Sequence, residues 1–395
     1  MPAESFQGAA ATESPSGQAA PADARADHAS GFAPAQNKPT DPTEPQPQGA
    51  RPIGPGSRIA VVANPFSGAK SNRGIVERFS ATLRNAGVAV ELIWDRPEHS
   101  PALGSPEALG NLDAVVVAGG DGSIGGAVSR MAALLDDARS SIPVPPVGLL
   151  PLGNENLLAR YAGVRGMGPE ALAKSLLGSH GGRAIDLGRL TAASMGGAAD
   201  AGDAPPRRWT CMVSAGLDAD VVRRVERWRS VGAEPGRLKR VRRSSYAQHV
   251  VAALGRYRYP MTRLIADGRA VEGAHVFVFN LPEYGGGLPF APGADPGDGW
   301  LDFVVLRRPG LGRALGYATS VVLGRHARRG DVEVGRARTV RLEPVDPTQP
   351  APVQVDGDLA GVTPAQIGLE PGRLRLLNLT PPATPTPAPI ASAGG

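Results

Sequence analysis

"VVVAGGDGSIGGAVS", Val115 to Ser129, decides how the first half of this chain is read. An apolar run ends in Gly119-Gly120, and a second apolar period then begins with Ile124, Val128, Met131 and Leu135. That pattern predicts a buried strand, a tight glycine turn and a helix. Gly120-Asp121-Gly122-Ser123-Ile124-Gly125 also satisfies the G-x-G-x-x-G form of a dinucleotide loop. Two features exclude that reading. The next strand, ending Gly148-Leu149-Leu150-Pro151, carries no acid for a ribose hydroxyl, and Asp136 and Asp137 fall too early. Asp121 would moreover repel a bare pyrophosphate unless a cation stood between them. A P-loop fails as well, because Gly68-Ala69-Lys70-Ser71 lacks the earlier glycine at the required spacing. A carboxylate inside a phosphate loop suits metal-assisted phosphoryl transfer, where it holds Mg²⁺ or orients the acceptor.

Working outward, strands and helices alternate. Ile59–Ala63 reads as a strand and Asn64-Pro65-Phe66-Ser67-Gly68 as a turn. The helix that follows is spaced by Ile75, Phe79 and Leu83 and stopped by Gly87. Val88–Trp94, Leu112–Ala118 and Val147–Leu150 read as further strands, and Pro151–Asn156 opens another helix. Such βαβ alternation predicts a mostly parallel sheet covered by helices. Three loops, Asn64–Gly68, Gly119–Ser123 and Gly153–Asn156, then leave the same edge of that sheet, where open α/β sheets bind ligands. Taken singly each is an ordinary strand-to-helix turn; in register they point to a nucleotide.

After Asp186 the texture turns β-rich. AHVFVFNL, WLDFVVLR, ARTVRLEP and RLRLLNLT are separated by Gly/Pro turns, with helices expected at Ser244–Tyr257 and Leu311–Leu323. A second, mainly antiparallel domain is expected, with the cleft between the two. Residues 1–56 and 380–395 are rich in Ala, Pro, Gly and Ser and are expected to be disordered. No apolar stretch approaches the roughly 20 residues that cross a bilayer. The N-terminus lacks the basic and apolar regions of a secretory signal, and Cys211 is the single cysteine, so a cytoplasmic, reduced location is expected. Cys211 reads as core. His249, His275 and His326 have no metal-like spacing, and no Ser-His-Asp arrangement is legible. The net charge of +5 gathers in Arg223–Arg243, which holds nine Lys/Arg against Glu226 and Glu234. With Trp228 and Leu238 among them, the segment reads as a peripheral membrane contact; it lacks any nucleic-acid reading module.

At this point the chain resembles the diacylglycerol kinase catalytic family of bacterial lipid kinases, relatives of the sphingosine kinases. Asn64-Pro65-Phe66-Ser67-Gly68 is similar to its N-P-x-S-G loop, Gly119-Gly120-Asp121-Gly122-Ser123 to G-G-D-G-T, and Leu150–Asn156 to the P-x-G-T-x-N loop. Ala184–Gly188 resembles an acidic strand at the domain junction. Pro292-Gly293-Ala294 with Asp298–Asp302 resembles P-x-A…D-G-x-L-D, and Val353–Asp358 resembles V-Q-x-D-G-E. The motifs span residues 57–380. The resemblance implies an N-terminal α/β domain, residues 57–186, with a parallel nucleotide-binding sheet like that of NAD kinases and phosphofructokinases. It implies a C-terminal antiparallel β-sandwich over 187–365 and a final strand, 366–379, returning to the first domain.

The resemblance further implies an ATP- and Mg²⁺-dependent kinase acting on a hydroxyl of diacylglycerol, a long-chain base or a related lipid. Asn64, Ser67, Gly68, Gly119, Gly120, Asp121, Gly122, Ser123 and Asn154 would line the ATP site. Asp121, Asp186, Asp356 and Asp358 would surround Mg²⁺ and the acceptor hydroxyl, with Asp356 the general base, and Asp298 would hold a separate structural Mg²⁺. A homodimer is compatible. The chain departs from the pattern at Gly125-Gly126 (Asn-Glu), Asn154 (Thr), Leu157 (Asp) and Asp358 (Glu). An NAD kinase-like enzyme and an inactive lipid- or nucleotide-binding relative are the competing readings.

Overall fold

The computed structural model describes residues 51–65, 67, 72–136, 144–194, 206–230 and 257–377. The expected helix at Ser244–Tyr257 therefore lies almost wholly outside the described residues, as do Gly68 and the basic run Arg237–Arg243. Four strands form the first part of the sheet: β1 (Arg58–Ala63), β2 (Ala89–Trp94), β3 (Ala114–Gly119) and β4 (Val147–Pro151). They run parallel in the order β2-β1-β3-β4. Every residue of β3 is buried, as a central parallel strand covered on both faces requires. The covering helices are α1 (Asn72–Asn85), α2 (Pro106–Gly110), α3 (Asp121–Asp136), α4 (Leu157–Tyr161) and α5 (Pro169–Leu176). In α1 the residues Val76, Phe79 and Leu83 face inward, and Gly87, at φ +79°, ends the helical stretch in a conformation that favours glycine.

The remaining strands are β5 (Arg183–Ala193), β6 (Arg207–Trp209), β7 (Met212–Ala215), β8 (Thr262–Ala266), β9 (Arg269–Gly273), β10 (His275–Phe279) and β11 (Leu301–Leu306). They are followed by β12 (Val332–Ala337), β13 (Thr339–Pro344), β14 (Pro352–Val355) and β15 (Asp358–Leu376). Among the described residues two α-helices join them, α6 (Leu217–Ser230) and α7 (Leu311–Val322). All pairings within this part are antiparallel. Strand β15 unites the halves: it pairs with β14, β13 and β5, and its end meets β4 in parallel at Leu376↔Val147. The returning strand is part of a 19-residue element, Asp358–Leu376, whose register against β5 shifts at Val362/Ala365 and at Glu370/Leu374. The path β12-β11-β10-β7-β14-β15-β4-β3-β1-β2 is a single sheet.

Among the described residues, one hydrophobic core covers both faces of the parallel strands, and in the antiparallel part it lies on one face with a second core on the other. In β10, Phe277 and Phe279 enter the core beneath the helices, while Val276 and Val278 enter the interior of the sandwich. Both faces being covered, all five residues of β10 are buried and the polar alternation of a half-exposed strand is absent. The expected disorder through residue 56 is corrected at its end. Ile53 is 3% exposed, its N–H donates to Ser179 O at 3.0 Å, and its carbonyl accepts from Gly178 at 2.8 Å. A single apolar side chain packs this stretch where low-complexity composition predicts none.

One close approach inside the sandwich makes a stability prediction. Gly188 of β5 lies opposite Trp209 of β6, and a Cβ at Gly188 would stand 1.9 Å from the indole ring. Trp209 is fully buried and has nowhere to move. Gly188→Ala should therefore destabilise the fold by about 1–3 kcal/mol through overpacking. A urea-unfolding midpoint equal to wild type would contradict that packing.

Candidate active site

The three loops meet at the ends of β1, β3 and β4. Asn64 Nδ2 donates to Ser123 Oγ at 2.8 Å, and Ser67 Oγ lies 3.3 Å from the same hydroxyl. The turn into α3 depends on Gly119, where a Cβ would sit 2.4 Å from Ser123 Cβ. In the third loop Asn156 takes a left-handed conformation, φ 51°, and clasps Gly153: Oδ1 accepts from Gly153 N at 3.0 Å and Nδ2 donates to Gly153 O at 2.8 Å. This brings Gly153 against Gly120, so closely that a Cβ on Gly153 would be 2.5 Å from Gly120 Cα. Asp121 secures the same junction. Its carboxylate oxygens accept from Leu157 N at 3.0 Å and Leu158 N at 3.2 Å, so the acid stands at the positive end of α4. Burial raises its pKa against those two bonds, and Glu155 adds to the rise.

Across from this junction the turn Asp356-Gly357-Asp358 joins β14 to β15 with positive φ at Asp356 and Gly357. It sits over the first turn of α3: a Cβ at Gly125 would be 3.6 Å from Asp356 Oδ2, and one at Gly122 would be 3.6 Å from Asp358 Oδ2. Asp356 is held by four donors. Oδ2 accepts from Thr210 N at 2.8 Å and Thr210 Oγ1 at 3.2 Å; Oδ1 accepts from Cys211 N and Met212 N, both at 2.9 Å. Its pKa is nevertheless pushed up to about 6, because burial outweighs the backbone donors and Asp121 adds repulsion. The four acceptor positions of the carboxylate are filled, a constraint no motif discloses. Thr210 Oγ1 also lies 3.4 Å from Cys211 Sγ, so rotation of that hydroxyl would free a position on Oδ2.

Asp356 separates two cavities. One, of about 480 Å³, is lined by the glycines of the first turns of α3 and carries charged side chains of both signs, Glu98, Arg130, Arg207, Arg208, Asp356 and Asp358. Asp358 pairs there with Arg207 at 2.9 Å, and Arg208 with Glu370 at 2.9 Å. The other, of about 600 Å³, has apolar walls of Leu157, Met212, Val222, Val225 and Tyr284, and carries Asp121, Asp218 and Asp356. Asn154 is exposed on this second cavity rather than grouped with Asn64, Ser67 and Ser123.

Three further placements differ from the expected arrangement. Asp186 does not turn toward Asp121 and Asp356. Its carboxylate accepts from Gly299 N and Gly372 N, each at 2.7 Å, and its pKa is raised by burial with Asp298 and Asp295 as its acidic neighbours. Asp298 does not fit a metal ion. One of its oxygens accepts from Trp300 N at 3.0 Å and the other pairs with the Arg336 guanidinium, which puts a fixed positive charge where a cation would bind. Among the described residues no group of three His, Cys, Asp or Glu is placed to hold a metal. Finally, α6 does not offer all its arginines to a surface, since Arg223 and Arg224 both pair with the buried Asp220.

Two residues of the site escape the motifs. Glu98 approaches Gly126 so closely that a Cβ there would lie 3.1 Å from its Oε2. The acid missing at 126 thus has a counterpart from the segment after β2, and only the fold brings the two together. Asp218, at the start of α6, accepts from Ser214 Oγ at 2.5 Å, Gln354 Nε2 at 3.1 Å and the Tyr284 hydroxyl. Its burial raises its pKa. In sequence it is indistinguishable from an ordinary acid in a first helical turn.

Comparison with known proteins matches residues 58–190 to the diacylglycerol kinase catalytic domain and residues 211–378 to the YegS C-terminal NAD kinase beta sandwich-like domain. The chain is 29% identical over 329 residues to a diacylglycerol kinase of Mycobacterium tuberculosis, covering 81% of this chain and 94% of that one. It is 24% identical over 262 residues to a diacylglycerol kinase of Bacillus subtilis, covering 66% and 75%. In structure it resembles a diacylglycerol kinase from Bacillus anthracis with a TM-score of 0.54 at 18% identity, over 81% of this chain and 96% of the other.

Proposed function

We propose that this chain, a member of the diacylglycerol kinase catalytic family, transfers the γ-phosphoryl group of ATP to a hydroxyl of diacylglycerol, a long-chain base or a related lipid. That it is a lipid kinase rests on the two matched domains and on relatives covered over most of their length. The finer reading rests on one observation: a carboxylate of raised pKa, Asp356, stands between a charged cavity rich in arginine and an apolar one.

Nucleotide phosphates would lie toward the first turn of α3, where free N–H groups and the helix dipole favour anions. The lipid would enter the apolar cavity, its hydroxyl directed at Asp121 and Asp356 and its chains against Val222, Val225 and Met212. As the hydroxyl oxygen bonds to phosphorus and ADP leaves, its proton passes to Asp356 Oδ2, vacated when the Thr210 hydroxyl turns to Cys211 Sγ. Mg²⁺ bound with the nucleotide would neutralise phosphate charge. Asp121, whose oxygens accept only backbone N–H groups and face no cationic side chain in these bonds, would be its carboxylate ligand. Asp358, paired with Arg207, positions the rim of the charged cavity. Asp186 and Asp298 have no part in this chemistry; Asp186 ties the end of the first half to Gly299 and Gly372, and Asp298 is engaged with Trp300 and Arg336 inside the β-rich half.

No helix among the described residues is long and apolar enough to cross a membrane. Incubation with γ-labelled ATP, Mg²⁺ and a total lipid extract should label a lipid product. Label in NAD, or ATP binding without transfer to any lipid, would overturn the reading.

A further inference from the structure

Helix α7 is apolar on two faces. Tyr317 and Val321 turn inward and join the core beneath the helices. Leu311, Leu315, Ala318 and Val322 recur at i, i+4, i+7 and i+11, the stripe that in a globular helix marks the buried side. Here that stripe faces outward. Leu311 is 46% exposed, Leu315 53% and Val322 65%, and Leu323 continues it at 59%. These are four of the six large apolar side chains exposed among the described residues, gathered on one element.

The surroundings of the stripe are cationic. From Arg307 to Gly330 the chain carries six arginines and no acid. Arg307 pairs with Glu333, and Arg313 and Arg329 with Asp331. Arg308, Arg325 and Arg328 are exposed and have no acidic partner among the described residues. The helix also shares a face of the sheet with the apolar cavity. His326, just beyond α7, lies 5.6 Å from the Phe290 ring, and Phe290 lies 5.4 Å from Tyr284, which lines that cavity.

We infer that the outer face of α7 docks on an anionic lipid bilayer. Leu311, Leu315, Val322 and Leu323 enter the boundary between headgroups and acyl chains, and Arg308, Arg325 and Arg328 meet lipid phosphates. An exposed apolar stripe edged by unpaired cations is the composition of an interfacial helix. A second copy of the chain would also cover the stripe, but a two-fold contact would set the same unpaired arginines of both copies around one interface. The inference takes its biological sense from the lipid-kinase reading, yet vesicle binding measures it without catalysis.

The test is co-sedimentation of the full chain with vesicles of phosphatidylcholine, alone or mixed with phosphatidylglycerol. Binding should require the anionic lipid and weaken with salt. A Leu315→Glu/Val322→Glu variant should bind at least ~tenfold more weakly. Replacing Arg308, Arg325 and Arg328 with Gln should cost about 100-fold at low salt. Thermal melts and turnover on a short-chain, water-soluble acceptor should be unchanged in both, since all five side chains are exposed and outside the site. Wild-type vesicle binding by both variants would overturn the inference. So would loss of binding only when Arg237, Lys239, Arg240, Arg242 and Arg243 are neutralised, or a wild-type dimer that the double variant splits while vesicle binding persists.

Discussion

Asp356→Asn is expected to lower turnover at least ~100-fold, the low end of what a general base contributes, with ATP affinity near wild type. The amide keeps the shape of the side chain but presents an NH₂ group to a nest of donors, so a folding control belongs beside the rate. The pH dependence separates the two effects. The wild-type rate should fall as pH drops through about 6, because the base must be ionised. Stability should move the other way. The folded pKa is raised above the ordinary aspartate value near 4, so this group's contribution is fully present below about pH 4 and is lost as pH rises through about 6. A shift of that size corresponds to about 3 kcal/mol. The Asn variant should lose both the acid limb of the rate and this slope in melting temperature. A variant turning over at the wild-type rate would take Asp356 out of the mechanism.

Asp121→Ala should abolish measurable transfer, a loss beyond ~1000-fold, because it removes the proposed carboxylate ligand of Mg²⁺. It also strips the acceptor from Leu157 N and Leu158 N, and each buried donor left unpaired costs about 1–3 kcal/mol. Asp121→Asn is the discriminating companion: its carbonyl oxygen can still accept from α4, while the negative charge is gone. Both variants should be inactive, with the Asn protein melting closer to wild type. Full activity of Asp121→Asn across a Mg²⁺ titration would show that the acid serves only to hold α4.

Local sequence determined what depends on near neighbours. The strand–glycine–helix units of the first half follow from apolar runs and periodicity, because a buried parallel strand and an amphipathic helix each impress their own spacing on the chain. The three loops were legible for the same reason, and Asn64, Ser67 and Ser123 do converge. Tertiary structure alone decided which acids face one another. Asp186 and Asp356 both sit in acidic motifs, but β5 turns the first toward Gly299 and Gly372, while the β14–β15 turn lays the second over α3. Glu98 reaches Gly126, and Arg207 reaches Asp358 across 151 residues, through strand order that no local pattern encodes. The stripe on α7 carries the sharpest lesson. Its periodicity predicts a helix with an apolar face, and that is what forms. Whether such a face is covered depends on what packs against it, and only the assembled sheet shows Leu311, Leu315 and Val322 left in solvent.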